Sequence, residues 1–494
     1  MCEGMGVPSA RRFTSSFLWQ LMERGSFAVA QFVVQIVLAR MLAPEDFGML
    51  AIILAFVNVG LVLVQAGMNT ALVQSPQLDE KDYSTVLWMC LGISFVCLVV
   101  LFACAPSIAA AFDLPSMAMP LRATATMLVA AAFTSVAQAR LTREMRFREV
   151  FVTSCVSVVL SGVLGAACAF FGLGVWALVA QQVSYQFAFC VALLLALRWR
   201  PALAFDLGRA RVLFSYGWKL LASNLLESGY QGLTDLIVGS RFSSTSLGMV
   251  SQGKRWPQAV AYLLDGSIQP VALSAISKAQ SDVLAVKRMV RKTMCVYVYL
   301  ACPLMVTLAV CAEPVVLLLL GQKWLPCVPY LRMYCIVYDL LPIHTTNLQA
   351  MAALGRSDLY LKLDILKKAY GVAFVLAAAF AFNDILWVLG SYVAAGVLSV
   401  LVNAAANGRL FGYTLAEQAR DTIPSFVLAL ACAAIAWPIS HVSMTPVLKL
   451  VALAAVVLGA YVCVSWLLRL RGFTYARDAL VGLLHGSEDG GQGQ

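Results

Sequence analysis

The sequence predicts an all-α polytopic membrane protein of about fourteen transmembrane helices. They form two pseudo-symmetric six-helix lobes with two C-terminal helices appended, and both chain ends lie inside. Three observations predict it: the composition, the recurrence of long apolar runs, and an internal repeat. Of 494 residues, 61 % are hydrophobic and only 12 % charged, against about 45–50 % and about 25 % in soluble proteins. That excludes a disordered chain, a coiled coil and an ordinary soluble enzyme. A net charge of +10 would point a soluble protein toward nucleic acid. In a chain this apolar it points to a membrane, and no nucleic-acid partner is expected.

Apolar runs fall near 15–39, 47–72, 83–104, 118–139, 150–171, 174–197, 214–239, 247–270, 293–319, 327–352, 363–381, 384–405, 422–440 and 446–468. Each is close to the roughly 20 residues a spanning helix needs and well beyond the about 9–11 of a barrel strand. Short polar connections leave no room for a sizeable soluble domain. With the N-terminus inside, 26 of the 35 Lys and Arg fall in alternate inner segments, eight fall outside, and Arg24 lies within the first span. Lys and Arg mark the cytoplasmic side, so the phase of this alternation supports the span count. Arg11 and Arg12 precede an apolar run, but Glu23 and Arg24 interrupt it and no small-residue cleavage site follows. The run therefore reads as an uncleaved first helix. The expected organisation is a cytoplasmic N-terminus (1–12), an N-lobe (13–200), a C-lobe (201–405), two appended helices (406–470) and a cytoplasmic tail (471–494), flexible from His485 onward.

The repeat has an offset of 200. Gln35–Ile52 (QIVLARMLAPEDFGMLAI) aligns without a gap with Asp235–Gln252 (DLIVGSRFSSTSLGMVSQ), bringing Gly48 onto Gly248 and Met49 onto Met249. Polar residues inside the flanking helices follow the same offset. Gln20, Arg24, Gln31 and Gln35 share one face of the first helix, and Asn224, Gln231 and Asp235 repeat it in the seventh, where Glu227 joins. Asn58, Gln65 and Asn69 in the second helix are matched by Gln258, Asp265 and Gln269 in the eighth. A weaker echo at an offset of 210 sets Leu121–Arg122 beside Leu331–Arg332. Both lobes enter the membrane from the same side, so the pseudo-twofold axis lies along the membrane normal, an architecture of transporters.

Polar stripes in hydrocarbon must face protein or a water-filled cavity. The substrate-lining candidates are Arg24, Gln31, Gln35, Asn58, Gln65, Asn224, Gln231, Lys254 and Arg255. Arg24 lies about 16 Å into its span, too deep for easy snorkelling. Arg332 is a weaker candidate, and Arg122 reads as an interface anchor. The intramembrane acids Glu23, Glu227, Asp235, Asp265 and Asp339 are candidates for ion coupling, or else partners of nearby arginines. Basic groups with amide stripes fit an anionic, hydroxyl-rich ligand such as a pyrophosphate-linked sugar; an anionic drug or peptide fits the same physics. The fourteen Cys and three His form no metal signature, and no catalytic residue, metal or cofactor is assigned.

Three segments carry a family likeness: Phe32–Gly48 (FVVQIVLARMLAPEDFG), Tyr216–Asn224 (YGWKLLASN) and Leu233–Gly239 (LTDLIVG). They resemble Wzx-type oligosaccharide-lipid flippases, lipopolysaccharide and exopolysaccharide export proteins of the exopolysaccharide and teichuronic acid exporter branch. These belong to the multidrug/oligosaccharidyl-lipid/polysaccharide export superfamily. The resemblance implies translocation of an undecaprenyl-pyrophosphate-linked oligosaccharide across the bacterial inner membrane, by alternating access coupled to a proton or sodium gradient. It also implies a polysaccharide polymerase or co-polymerase as a partner. The family's LG-Y-[NS]-[RK]-A motif is altered here. Leu247–Trp256 reads LGMVSQGKRW, without the tyrosine and with the basic pair two residues later. The alternatives are a cation-coupled multidrug antiporter, a lipid II flippase and, less well supported by the short outer loops, a polysaccharide polymerase.

Overall fold

The structure is a computed structural model that describes residues 29–65, 68–69, 72, 78–199, 202, 204–280 and 282–485. Within the described residues, the apolar runs coincide with helices, or with two helices meeting at a break. In chain order the helices are α1 (Val29–Met41), α2 (Pro44–Gln65), α3 (Glu80–Ala111), α4 (Ala118–Ala125), α5 (Met127–Arg143), α6 (Phe147–Phe170), α7 (Val175–Leu197), α8 (Leu207–Arg241) and α9 (Ser244–Lys278). There follow α10 (Val283–Val310), α11 (Ala312–Leu319), α12 (Val328–Asp339), α13 (Leu341–Ala353), α14 (Ser357–Ala381), α15 (Ile385–Phe411), α16 (Leu415–Ser440), α17 (Pro446–Leu467) and α18 (Arg471–His485).

Among the described residues, ten helical segments are by themselves long and apolar enough to cross a membrane. The other runs fall short for visible reasons. Only the short stretch Val29–Met41 of the first is described, α8 and α14 carry many polar residues, and the tenth run is broken between α12 and α13.

Helix starts follow from side chains that accept the free N–H groups of a first turn. Asp206 Oδ1 accepts from Gly208 N at 2.8 Å, Asp282 Oδ1 from Leu284 N at 2.9 Å, and Asp384 Oδ1 from Leu386 N at 2.9 Å. Thr414 and Glu417 form a reciprocal capping box at α16. The break between α12 and α13 falls at Leu340, with Pro342 in the first turn of α13, where a missing N–H costs nothing.

The chain divides into two compact units at Gly248. In the first, the alanine-rich face of α5 packs between α3 and α7, while α6 and α7 form a tight hairpin. Gly165 lets α6 sit directly on Gln181 and the Ala177 carbonyl. Arg209 draws α8 onto α3 through Asp82, at 3.0 Å. In the second unit α10 is the hub, touching α12, α13, α16, α17 and α18. Two apolar clusters surround it, one on Ile276, Val290 and Ile343, the other on Cys302, Leu428 and Tyr461.

The expected tail is partly ordered. Within 471–494, α18 forms a helix seated on α10, with Gly472 against Tyr299 and the Cys295 carbonyl. Its anchor is Asp421 on α16, a carboxylate whose side chain is fully buried. Asp421 accepts from Arg291 at 2.6 Å, from Arg471 at 2.5 Å and from the Tyr413 hydroxyl at 3.0 Å. Asp421→Asn is expected to lower the unfolding free energy of the detergent-solubilised protein by about 1–3 kcal/mol. Asp478→Asn, which touches only the exposed pair with Arg477, should cost under about 0.5 kcal/mol. Thermal unfolding of both variants checks this.

Outside the spans, Glu144 faces two arginines. Partial burial works to raise its pKa, but hydrogen bonds from Arg146 and Arg140 outweigh it and hold the carboxyl below its ordinary 4.5. A depressed carboxylate stabilises fully above its unfolded value and loses that contribution as pH falls through the folded one. Glu144→Gln should therefore flatten the acid limb of the stability profile below pH 4.5 and leave the neutral region's slope unchanged.

Candidate functional site

In the first unit α2 exposes Asn58 and Gln65 over a largely buried apolar face, while α8 exposes both polar residues and apolar ones such as Trp218 and Leu226. The two helices pack closely over one stretch, Gly239 against Ile52 and Gly232 against Ala55. One turn beyond Ala55 the first exposed polar residues appear. Asn58 and Gln65 on α2 are exposed, as are Asn224 and Glu227 on α8. Meanwhile Ile52, Ile53, Val57 and Val64 are buried. Glu227 Oε1 accepts from Gln231 Nε2 at 2.6 Å. A carboxylate and amides cannot face hydrocarbon at low cost, so this exposed stripe reads as the wall of a water-filled trough.

On α1, Gln31 and Gln35 lie on the side opposite the exposed Val33 and Val37. Gln35 is buried, and Gln31 Oε1 has no hydrogen-bond partner among the described residues. Asn69 accepts from Ser135 Oγ at 3.1 Å, which makes it a tie between helices. Asp235 is half-buried near the end of α8. Arg24, Glu23 and Gln20 lie outside the described residues.

In the second unit, Lys254 and Arg255 are half-buried on α9. Beside them Gly253 seats the helix against Tyr330 and Leu331 of α12. Asp265 Oδ1 accepts from Tyr297 OH at 3.1 Å, and Gln269 Nε2 donates to Thr345 Oγ1 at 2.7 Å. Both groups are thus tied to neighbouring helices rather than left open. Asp339 is different. It ends α12 at the helix break, is 8 % exposed, and its Oδ1 has no hydrogen-bond partner among the described residues. It lines an apolar cavity of about 810 Å³ between α10, α12 and α16, whose walls include Cys302, Met305, Ile336, Phe426 and Trp437.

Arg332 lines the same cavity, and its Nε donates to the Ala309 carbonyl at 3.2 Å. Arg122 does the same in the first unit, with Nε on the Phe102 carbonyl at 3.1 Å and its guanidinium 5.9 Å from the Phe102 ring. The echo at an offset of 210 is thus a shared piece of structure: in each unit an arginine in the first half of a broken helix donates to a carbonyl of an earlier long helix, α3 or α10.

Sequence reasoning missed a second polar layer. His344 Nδ1 lies 3.0 Å from Asn403 Nδ2. Asn347 donates to Gln418 Oε1 at 2.9 Å and accepts from Asn407 Nδ2 at 2.7 Å. Lys367 is buried beside this layer at 6 % exposure, and Lys368 pairs with Asp364 at 2.7 Å. The spacing of Asn403 and Asn407, four apart on an apolar helix, is a signal that the repeat-based search passed over. Among the described residues no group of His, Cys, Asp or Glu is arranged to hold a metal ion, and all thirteen described cysteines are free thiols.

The fold and the polar stripes define a class: a many-helix membrane protein with an internal repeat and polar residues within its apolar helices. Comparison with known proteins narrows it. A family profile described as "Polysaccharide biosynthesis protein" matches residues 37–329. The chain is 25 % identical over 419 residues to the succinoglycan biosynthesis transport protein ExoT of Rhizobium meliloti, covering 84 % of this chain and 82 % of that one. It is 23 % identical over 396 residues to the teichuronic acid biosynthesis protein TuaB of Bacillus subtilis, covering 79 % and 82 %. Its fold matches that of the lipid II flippase MurJ in an inward closed conformation, with a TM-score of 0.76, 12 % identity, and coverage of 92 % of this chain and 99 % of that one. The chain belongs to the polysaccharide biosynthesis protein family.

If the α2–α8 stripe is a wet trough, a cysteine placed at Asn224 will react faster with a small hydrophilic thiol reagent than one placed at the buried Gln35. Equal rates would assign both stripes to packing.

Proposed function

We propose that the protein is a flippase that moves undecaprenyl-pyrophosphate-linked oligosaccharide repeat units from the inner to the outer leaflet of the bacterial inner membrane. The product would feed lipopolysaccharide or exopolysaccharide synthesis. The observation that carries this reading is the exposed polar row of Asn58 and Gln65 on α2, over a buried apolar face and beside the exposed Asn224 and Glu227 of α8, in a chain of the polysaccharide biosynthesis family. Fourteen crossings with both ends inside fit the fourteen apolar runs and the Lys and Arg asymmetry between alternate connections. Each lobe contributes six crossings, and α16 and α17 are the appended pair.

On this reading the sugar enters a polar path along α2 and α8 while the prenyl chain remains in lipid. Asn58, Gln65, Asn224 and Gln231 offer amide hydrogen bonds to hydroxyl groups, with Gln31 and Gln35 on the first helix. Arg24, Lys254 and Arg255 balance the pyrophosphate charge. The driving step is a proton or sodium ion taken up at a carboxylate, which biases the lobes between two arrangements. Among Glu23, Glu227, Asp235, Asp265 and Asp339, the last is favoured because it sits at a helix break with an oxygen left unpaired. The chemistry is transport, with no bond made or broken. A polymerase or co-polymerase would act on the delivered unit.

The test is flipping of a lipid-linked oligosaccharide in proteoliposomes. Removing one charge-assisted contact of about 1.5–3 kcal/mol predicts that Arg24→Ala slows flipping by about 10- to 100-fold. Arg477→Ala, at an exposed pair on α18, should leave the rate unchanged. A wild-type rate for Arg24→Ala would remove that residue from the path.

A further inference from the structure

Gly48 and Gly248 hold the same position in the two copies of the repeat, and the structure brings them against each other. A methyl group at Gly48 would overlap the carbonyl oxygen of Ser244, and one at Gly248 would overlap the carbonyl oxygen of Pro44. Ser244 and Pro44 are themselves repeat partners, 200 residues apart. The contact is therefore reciprocal, as at a twofold axis where one surface meets its own copy. The same methyl positions lie 3.0 Å from Gly248 N and 3.1 Å from Gly48 N. The first turns of α2 and α9 thus cross backbone on backbone with no side chain between them, inside the first compact unit, which ends at Gly248.

The crossing continues into the close packing of α2 on α8, through Gly239 on Ile52 and Gly232 on Ala55. Beyond Ala55 along α2 come the exposed Asn58 and Gln65, and on α8 the exposed Asn224 and Glu227. The glycine pair therefore caps the trough at the end where the α1–α2 and α8–α9 turns lie.

We infer that Gly48 and Gly248 form the outer closure of the transport path, a two-glycine latch at the pseudo-twofold axis that parts each time the protein opens outward. Small residues let helix backbones approach closely in membranes. Such contact is short-ranged and involves no charge that must be resolvated, so a small shift undoes it and it reforms in one register. A single Cβ at either glycine forbids the closed form and leaves an open form untouched. The inference rests on the proposed orientation and alternating access, and adds which residues make the seal.

The experiment places a cysteine at Asn58, about 15 Å below Gly48 along α2, and measures its labelling by a membrane-impermeant thiol reagent from each side of cell-derived vesicles. Blocking the closed form shifts the population outward, so Gly48→Ala and Gly248→Ala should each raise outside labelling about tenfold and lower inside labelling. Both substitutions relieve one crossing, so the double variant should add little to either single one. Gly92→Ala, at a glycine with nothing within 4 Å of a built Cβ, controls for glycine replacement itself. Outside labelling at the Gly92→Ala level in both single variants overturns the latch. A rise confined to the inside keeps the latch and overturns the orientation instead. Equal labelling from both sides shows that the added methyl breaks the packing rather than selecting an open form, and it overturns the latch as well.

Discussion

Hydrocarbon offers no hydrogen-bond partner, and the rest of this structure follows from that constraint. Each backbone segment within the membrane must satisfy its own N–H and C=O groups, so the chain is built of helices. Each polar side chain must meet another polar group, a backbone carbonyl or water. Asp421 meets two arginines and a tyrosine hydroxyl. Asp265 meets Tyr297, and Arg122 and Arg332 meet carbonyls of earlier helices. Asn58, Gln65 and Asn224 stand exposed, and Asp339 keeps one oxygen unpaired in an apolar cavity. In the proposed function these are the places offered to a transported headgroup and a coupling ion.

The duplication gives the constraint a second use. A twofold-related pair of helices must meet somewhere near its axis, and the residue at that point meets its own copy. Glycine is the residue that lets two backbones touch there, which explains why Gly48 and Gly248 stand 200 residues apart. The arginines at 122 and 332 show the same economy away from the axis: one solution to tying down a broken helix, used twice.

Much of this was legible in the sequence. The described parts of the apolar runs are helical because apolar length alone decides that, and the offset of 200 paired Gly48 with Gly248 without showing that the two meet. The rest was hidden for physical reasons. Asp421 looks like an ordinary charge in the first turns of a helix until α10 and α18 bring it Arg291 and Arg471. The helix at 471–485 is too polar and short to read as a span, and its seat on α10 depends on Gly472 meeting Tyr299. The layer of His344, Asn347, Asn403, Asn407 and Gln418 joins three helices far apart in sequence, so no single window displays it. Asp265 and Gln269 looked like cavity residues through the repeat, yet Tyr297 and Thr345 occupy them. Periodicity gives the face of a helix but not what stands opposite.

The central claim is that the polar path carries an anionic, sugar-bearing lipid. The most direct measurement is selectivity of the purified protein in liposomes. A fluorescent undecaprenyl-pyrophosphate oligosaccharide is followed by loss of signal to an impermeant quencher, beside a cationic dye followed by efflux. The account predicts protein-dependent movement of the lipid-linked sugar and none of the dye. Dye efflux with a lipid-linked sugar that stays in its leaflet would contradict it.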